Sequence, residues 1–273
     1  MTNSLVAAAG SSKAPSRLAM IAMVLALSGC TSLAEAPAAA AAAEISKERI
    51  GEIVASPDRS AADRANDGRR KPAAVLAFIG VRPGMVALDL SAGAGYTTEL
   101  IARAVGPNGR VYGQSAPRPA SVPPRPTSAQ LLADRARNPV VANIVPVLRR
   151  FEEPIPPEVA RAGLDLVTLM FNYHDLGHLQ VDRAQMNSAV FAALKPGGFY
   201  VIADHSGRPG TGIGESGTLH RIEEAFLRRE VEAAGFKLAA SGDFLRNPAD
   251  PRDRERPEAS QAKDEFILKF VKP

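Results

Sequence analysis

Histidine is scarce in this chain, and all four copies fall in its second half: His174, His178, His205 and His220. Two of them adjoin an aspartate, in Tyr173-His174-Asp175 and in Asp204-His205. An imidazole titrates at about pH 6.5, so one whose tautomer is fixed by a carboxylate can accept a proton at neutral pH. The chemistry this suggests is acid–base work on a bound acceptor. His174 is the first candidate base, Asp175 orients it, and His205 and His220 position the substrate. Neutral imidazoles with Asp175 or Asp204 would also suit zinc or manganese. No tight ligand spacing such as HExxH occurs, so the sequence assigns no metal. Strand-end His and Asp residues that merely cap loops are the plainer alternative.

The second chemical signal lies in residues 86–99. An apolar run ends in Asp89, a turn of very small residues follows (Ser91, Ala92, Gly93, Ala94, Gly95), and a helical pattern begins at Tyr96. Gly93 and Gly95 allow a backbone to approach a ligand where a Cβ would clash, and a helix start offers unpaired N–H groups. Tight strand-to-helix turns use glycine in the same way without any ligand.

These residues need a scaffold, and the hydrophobic pattern describes one. β-like runs at residues 86–90, 110–113, 144–148, 164–171 and 199–203 alternate with helical patterns at 72–79, 96–105, 181–194 and 219–234. Residues 236–240 and 266–271 can close the order as a hairpin, separated by a proline- and charge-rich excursion. Residues 116–126 hold five prolines, which suits a stiff surface segment and excludes a central strand. Strands alternating with crossover helices predict one doubly wound α/β domain over residues 44–273. In such sheets ligands bind at the carboxyl ends of the strands, where both chemical signals fall.

Composition narrows the function. The formal charge of +4 drops to +2 once a leader bearing Lys13 and Arg17 is removed, too little for a nucleic-acid stripe. A single cysteine excludes an internal disulfide framework and CxxC-type metal sites. Residues 1–29 read as an export signal, with Lys13 and Arg17 before a ten-residue apolar core at 18–27. That core spans roughly 15 Å as a helix, about half a bilayer. Leu27-Ser28-Gly29-Cys30 resembles a bacterial lipobox, which implies lipidation of Cys30 and a membrane link through that anchor only. The alanine-rich residues 30–43 then read as a tether, and by similarity to enteric lipoproteins Thr31, rather than an aspartate, after the cysteine implies the outer membrane, facing the periplasm.

Asp89-Leu-Ser-Ala-Gly-Ala-Gly95 resembles motif I of class I S-adenosylmethionine-dependent methyltransferases. Arg110-Val-Tyr-Gly113 is similar to their second strand, and Leu194-Lys-Pro-Gly-Gly198 to the turn before their fifth. From about Asp58 onward the chain resembles a family of exported predicted methyltransferases. The shared pieces are Gly95-Tyr96, Tyr173-His174-Asp175, Asp204-His205, Leu219-His220-Arg221 and Asp250-Pro251. The resemblance implies a mostly parallel seven-stranded sheet with a reversed last strand, the Rossmann-like methyltransferase fold. It implies S-adenosylmethionine as cofactor, held by Asp89, Ser91, Ala92, Gly93, Gly95, Tyr96, Ser115 and Asn172. It also implies methyl transfer to a small or envelope-associated acceptor. The chain departs from the pattern twice: Ser91 stands where a glycine is usual, and Gln114-Ser115 where an acid usually holds the ribose. Glu152 or Glu153 could face the adenine, or form a solvated pair beside Arg149 and Arg150. A non-catalytic binding module on the same fold, its cofactor lost, is the alternative.

Overall fold

Residues 86–90 are apolar except at Asp89, as expected of a strand covered on both faces. They form β1 (Val86–Leu90), near the centre of a seven-stranded sheet. The computed structural model describes residues 43–118, 126–255 and 262–273. Cys30, the leader, most of the tether and most of the proline-rich segment lie outside them.

The helices before β1 are α1 (Lys47–Ala55), α2 (Ala61–Arg70) and α3 (Pro72–Ile79). Then come α4 (Tyr96–Val105), β2 (Arg110–Ser115), α5 (Ser128–Arg135) and β3 (Ile144–Leu148). They are followed by α6 (Pro157–Ala162), β4 (Leu164–Met170), α7 (Asp175–His178) and α8 (Arg183–Ala193). The chain closes with β5 (Leu194–His205), α9 (Glu224–Ala233), β6 (Lys237–Gly242) and β7 (Glu265–Val271). The strand order is β3-β2-β1-β4-β5-β7-β6, and β7 alone runs against the direction of the other six strands. This is the Rossmann-like methyltransferase fold, with its reversed last strand. No helix among the described residues is long and apolar enough to cross a membrane.

Strand alternation divides the core between the two faces. Ala87 packs with Leu76, Ile79, Ile101 and Val105 on one side. Leu88 and Leu90 pack with Val190, Leu227 and Val231 on the other. Burying a leucine side chain fully is worth roughly 1.5–3 kcal/mol, so these two layers hold the strand ends in place.

Several elements shift by a residue or two from the sequence expectation, and three differences bear on the site. Residues 195–198 fall within β5 rather than in a turn before it, since β4 and β5 already pair at Leu164 and Leu194. β2 continues to Ser115, because β3 pairs with it up to Leu148. Residues 219–223 are not helical. His220 takes φ +50° and Ile222 bridges to Ser206, so α9 starts only at Glu224 and His220 does not open it.

Candidate functional site

The loop after β1 is tied to the end of β2. The Ser91 amide donates to Gln114 Oε1 at 3.0 Å, and the Ala92 amide to the Gln114 carbonyl at 2.8 Å. Gln114 is therefore a loop anchor, not a ribose contact. Ser91, Gly93 and Gly95 all have left-handed backbones, with φ of +52°, +57° and +87°. The glycine usual at the first position is thus replaced by a serine that carries the strain itself.

The loop borders a cavity of about 380 Å³ lined by Asp89, Ser91, Ala92, Gly93, Tyr96 and Asn172, among others. Asp89 is buried beneath it, accepting from Thr98 Oγ1 at 2.6 Å and from Thr168 Oγ1 at 2.7 Å. Burial pushes its carboxyl up to about 6, against the pull of those hydroxyls and of Arg70.

The opposite wall is α2, which sequence reading missed. It supplies Asp63, Asn66 and Arg70. The Arg70 guanidinium stands 4.4 Å from the Phe171 ring centroid and 5.7 Å from that of Tyr96. It makes no ion pair among the described residues. The helix is held by long-range pairs: Asp63 to Arg135 at 2.7 Å and Tyr96 Oη to Asp67 at 2.7 Å, with Arg135 also reaching Glu99. Ser60, whose side chain caps the Asp63 amide at 3.0 Å, gives a Ser-x-x-Asp signature that could have revealed α2.

A hydrogen-bonded chain leads from the loop to the histidines. Ser91 Oγ donates to Asn172 Oδ1 at 2.5 Å, and Asn172 Nδ2 to Asp175 Oδ2 at 2.7 Å. Asp175 Oδ1 meets His174 Nε2 at 3.1 Å and His220 Nδ1 at 2.8 Å. On the far side of His174, Nδ1 lies 2.5 Å from Asp204 Oδ1. The ring centroids of His205 and His220 are 5.3 and 5.7 Å from that of His174. The sheet register makes this cluster: Met170 of β4 pairs with Ala203 of β5, so both strands deliver their next residues to one rim.

This changes the expectation for His174. The residue is 3% exposed and both its nitrogens face carboxylates. Burial alone would lower its pKa, but Asp204 and Asp175 outweigh burial and hold it up at about 9. Neutral pH therefore finds the ring already protonated, which is the wrong state for a base. Asp175 moves the other way, to about 2, its own burial outweighed by the two histidines. Burial drives His205 down to about 3, so it is neutral. Its Nδ1 lies 3.1 Å from Glu265 Oε1 without the alignment of a hydrogen bond. His220, the more open ring, keeps 37% of its side chain exposed.

Several expected cofactor contacts fall elsewhere: Gly95 does not line the cavity but packs against Leu132 and Arg135. Ser115 is buried, its Oγ lacks a hydrogen-bond partner among the described residues, and it does not line the cavity. Glu152 and Glu153 pair with Arg150 and Arg149 at 3.2 and 3.5 Å, so the ion-pair alternative describes them.

No family model and no curated protein matches the chain. Solved structures do. An S-adenosylmethionine-dependent methyltransferase from Aquifex aeolicus aligns over 84% of this chain and all of its own, at 17% identity and TM-score 0.54. A cyclopropane-fatty-acyl-phospholipid synthase-like protein from Lactobacillus casei covers 83% of this chain and 100% of its own, at 14% identity and TM-score 0.55. The CcbJ methyltransferase from Streptomyces caelestis covers 78% and 99%, at 18% identity and TM-score 0.51. The fold is thus that of the class I methyltransferases.

Proposed function

We propose that the chain transfers a methyl group from S-adenosylmethionine to a small or envelope-associated acceptor held at the histidine rim. The observation that carries this reading is the glycine-rich cleft joined through Ser91 and Asn172 to the His–Asp cluster. The residues present fit the cofactor. The cavity lies within the range of about 300–1,000 Å³ common for such ligands. Gly93 leaves the loop open to close approach, with no atom nearer than 3.9 Å to a Cβ built there. Asp89 and Arg70 would face the amino-acid end, one from each side, and Tyr96 and Asn172 would complete the wall. Ser115 lies off the cavity wall and Gln114 is engaged by the loop, so the end of β2 offers no acid to hold a ribose.

When bound, S-adenosylmethionine supplies an electrophilic methyl on its sulfonium. The protein's share is alignment of donor and acceptor and exclusion of water. His174, Asp175, His205 and His220 form the acceptor side, with His174 held between two carboxylates rather than free to accept a proton. Cys30 tethers the domain to the envelope through lipid, the outer membrane being the expected site.

Calorimetry tests the reading with S-adenosylmethionine, its demethylated product and NAD as titrants. Saturable binding of the first two alone supports it. Binding of none would make the protein a non-catalytic module, and binding of NAD alone would make it an oxidoreductase.

A further inference from the structure

Three imidazoles surround one carboxylate oxygen. Asp175 Oδ1 lies 3.1 Å from His174 Nε2, 2.8 Å from His220 Nδ1 and 3.8 Å from His178 Nδ1. Asn172 holds the other oxygen at 2.7 Å, which leaves Oδ1 to the rings. One ligand atom each from His174, Asp175 and His220 falls within 4.8 Å of the others. Two donors bound to one ion at about 2.1 Å with ordinary angles lie roughly 3.0–3.4 Å apart, close to the distances of 3.1 and 2.8 Å from Asp175 Oδ1 to His174 and His220.

A second observation is independent of that spacing. Behind His174, the fully buried Asp204 takes both Nδ1 at 2.5 Å and the backbone amide at 2.7 Å. A carboxylate on the far nitrogen is how metal-bound histidines are oriented, since it fixes the lone pair on the other nitrogen. An ion on Nε2 would displace the His174 proton, and the two carboxylates on either side of the ring then leave negative charge that a divalent cation balances. His220 reaches the cluster from a left-handed backbone at φ +50°, a conformation disfavoured for a non-glycine residue.

We propose that His174 Nε2, Asp175 Oδ1 and His220 Nδ1 hold one divalent ion of the manganese-to-zinc series. Imidazole with carboxylate and no thiolate suits those ions. Oxygen or nitrogen groups of an acceptor would fill its remaining positions, and Asn172 places it beside the cleft. Only this acceptor role rests on the methyltransferase reading; ion binding does not.

The test uses the full chain carrying Cys30→Ser, so that its sole thiol cannot compete, stripped with a chelator and titrated with Mn²⁺ and then Co²⁺. One equivalent should bind, with visible Co²⁺ absorption bands. His220→Ala, in a partly exposed loop, should keep the melting temperature and lower affinity at least 100-fold. Asp204→Asn should lower it about 10–100-fold without touching the ion. The proposal is overturned if the chain binds no stoichiometric ion, or if His220→Ala binds one with undiminished affinity. In either case a proton shared through His174 between the two aspartates occupies the cluster. No cofactor is present in the assay, so its outcome is separate from that of methyl transfer.

Discussion

Ser91 Oγ and Asn172 Oδ1 are 2.5 Å apart, joining the loop after β1 to the segment after β4 across the mouth of the cleft. Ser91 also sits at φ +52°. Ser91→Gly should relieve about 1 kcal/mol of backbone strain and lose a hydrogen bond worth about the same. The variant should melt within a few degrees of the parent. With Asn172 then held only by Asp175, methyl transfer should fall roughly ten-fold. A melting scan beside a turnover assay checks the pair; equal loss of both would make the bond purely structural.

Asp89 should couple stability to pH. Its folded carboxyl is raised to about 6 from 3.8, so its contribution is fully present below about pH 4 and is lost as pH rises through 6. The ionisation penalty at pH 8 is on the order of 3 kcal/mol. Asp89→Asn lacks this titration. Its stability relative to the parent should therefore grow between pH 4 and 7, while cofactor affinity drops. Denaturant unfolding at several pH values measures the gap, and a gap independent of pH would refute the assignment.

Two glycines of the same loop should respond differently to alanine. A Cβ on Gly95 would meet Leu132 Cδ2 at 2.7 Å and Arg135 Cδ at 2.9 Å, at φ +87°. Strain and crowding together should cost about 2–4 kcal/mol. At Gly93 a Cβ has no neighbour closer than 3.9 Å, so Gly93→Ala should cost only the backbone term of about 1 kcal/mol. Its damage should appear in cofactor affinity. Unfolding curves and calorimetry on both variants separate the two effects.

Cys30 lies outside the described residues, and its role is open to a direct assay. Cys30→Ser should move the protein from the membrane pellet to a soluble or uncleaved form, since one acyl chain binds marginally and several anchor firmly. Identical fractionation of the two forms would rule out the lipid anchor.

What the sequence determined by itself was local. Apolar runs interrupted only by Asp89 in β1 and by Asp165 and Thr168 in β4 marked those strands, and small residues between a strand and a helix marked the loop of residues 91–95. Period-two and period-3.6 burial are written in neighbouring residues, so strands, order and loop were legible without any contact. Tertiary structure decided the state of the histidines. His174 and Asp204 are thirty positions apart and meet because β4 and β5 pair in one register, which turns an expected base into a buried cation. Arg135 and Asp63 are 72 apart, and their ion pair sets α2 against the cleft as a wall. The turn at His220 likewise depends on contacts that residues 219–223 do not encode, since their apolar spacing reads as helix. Ionisation and the free ring nitrogens follow from which charges a register brings together, and that information is spread across the sheet.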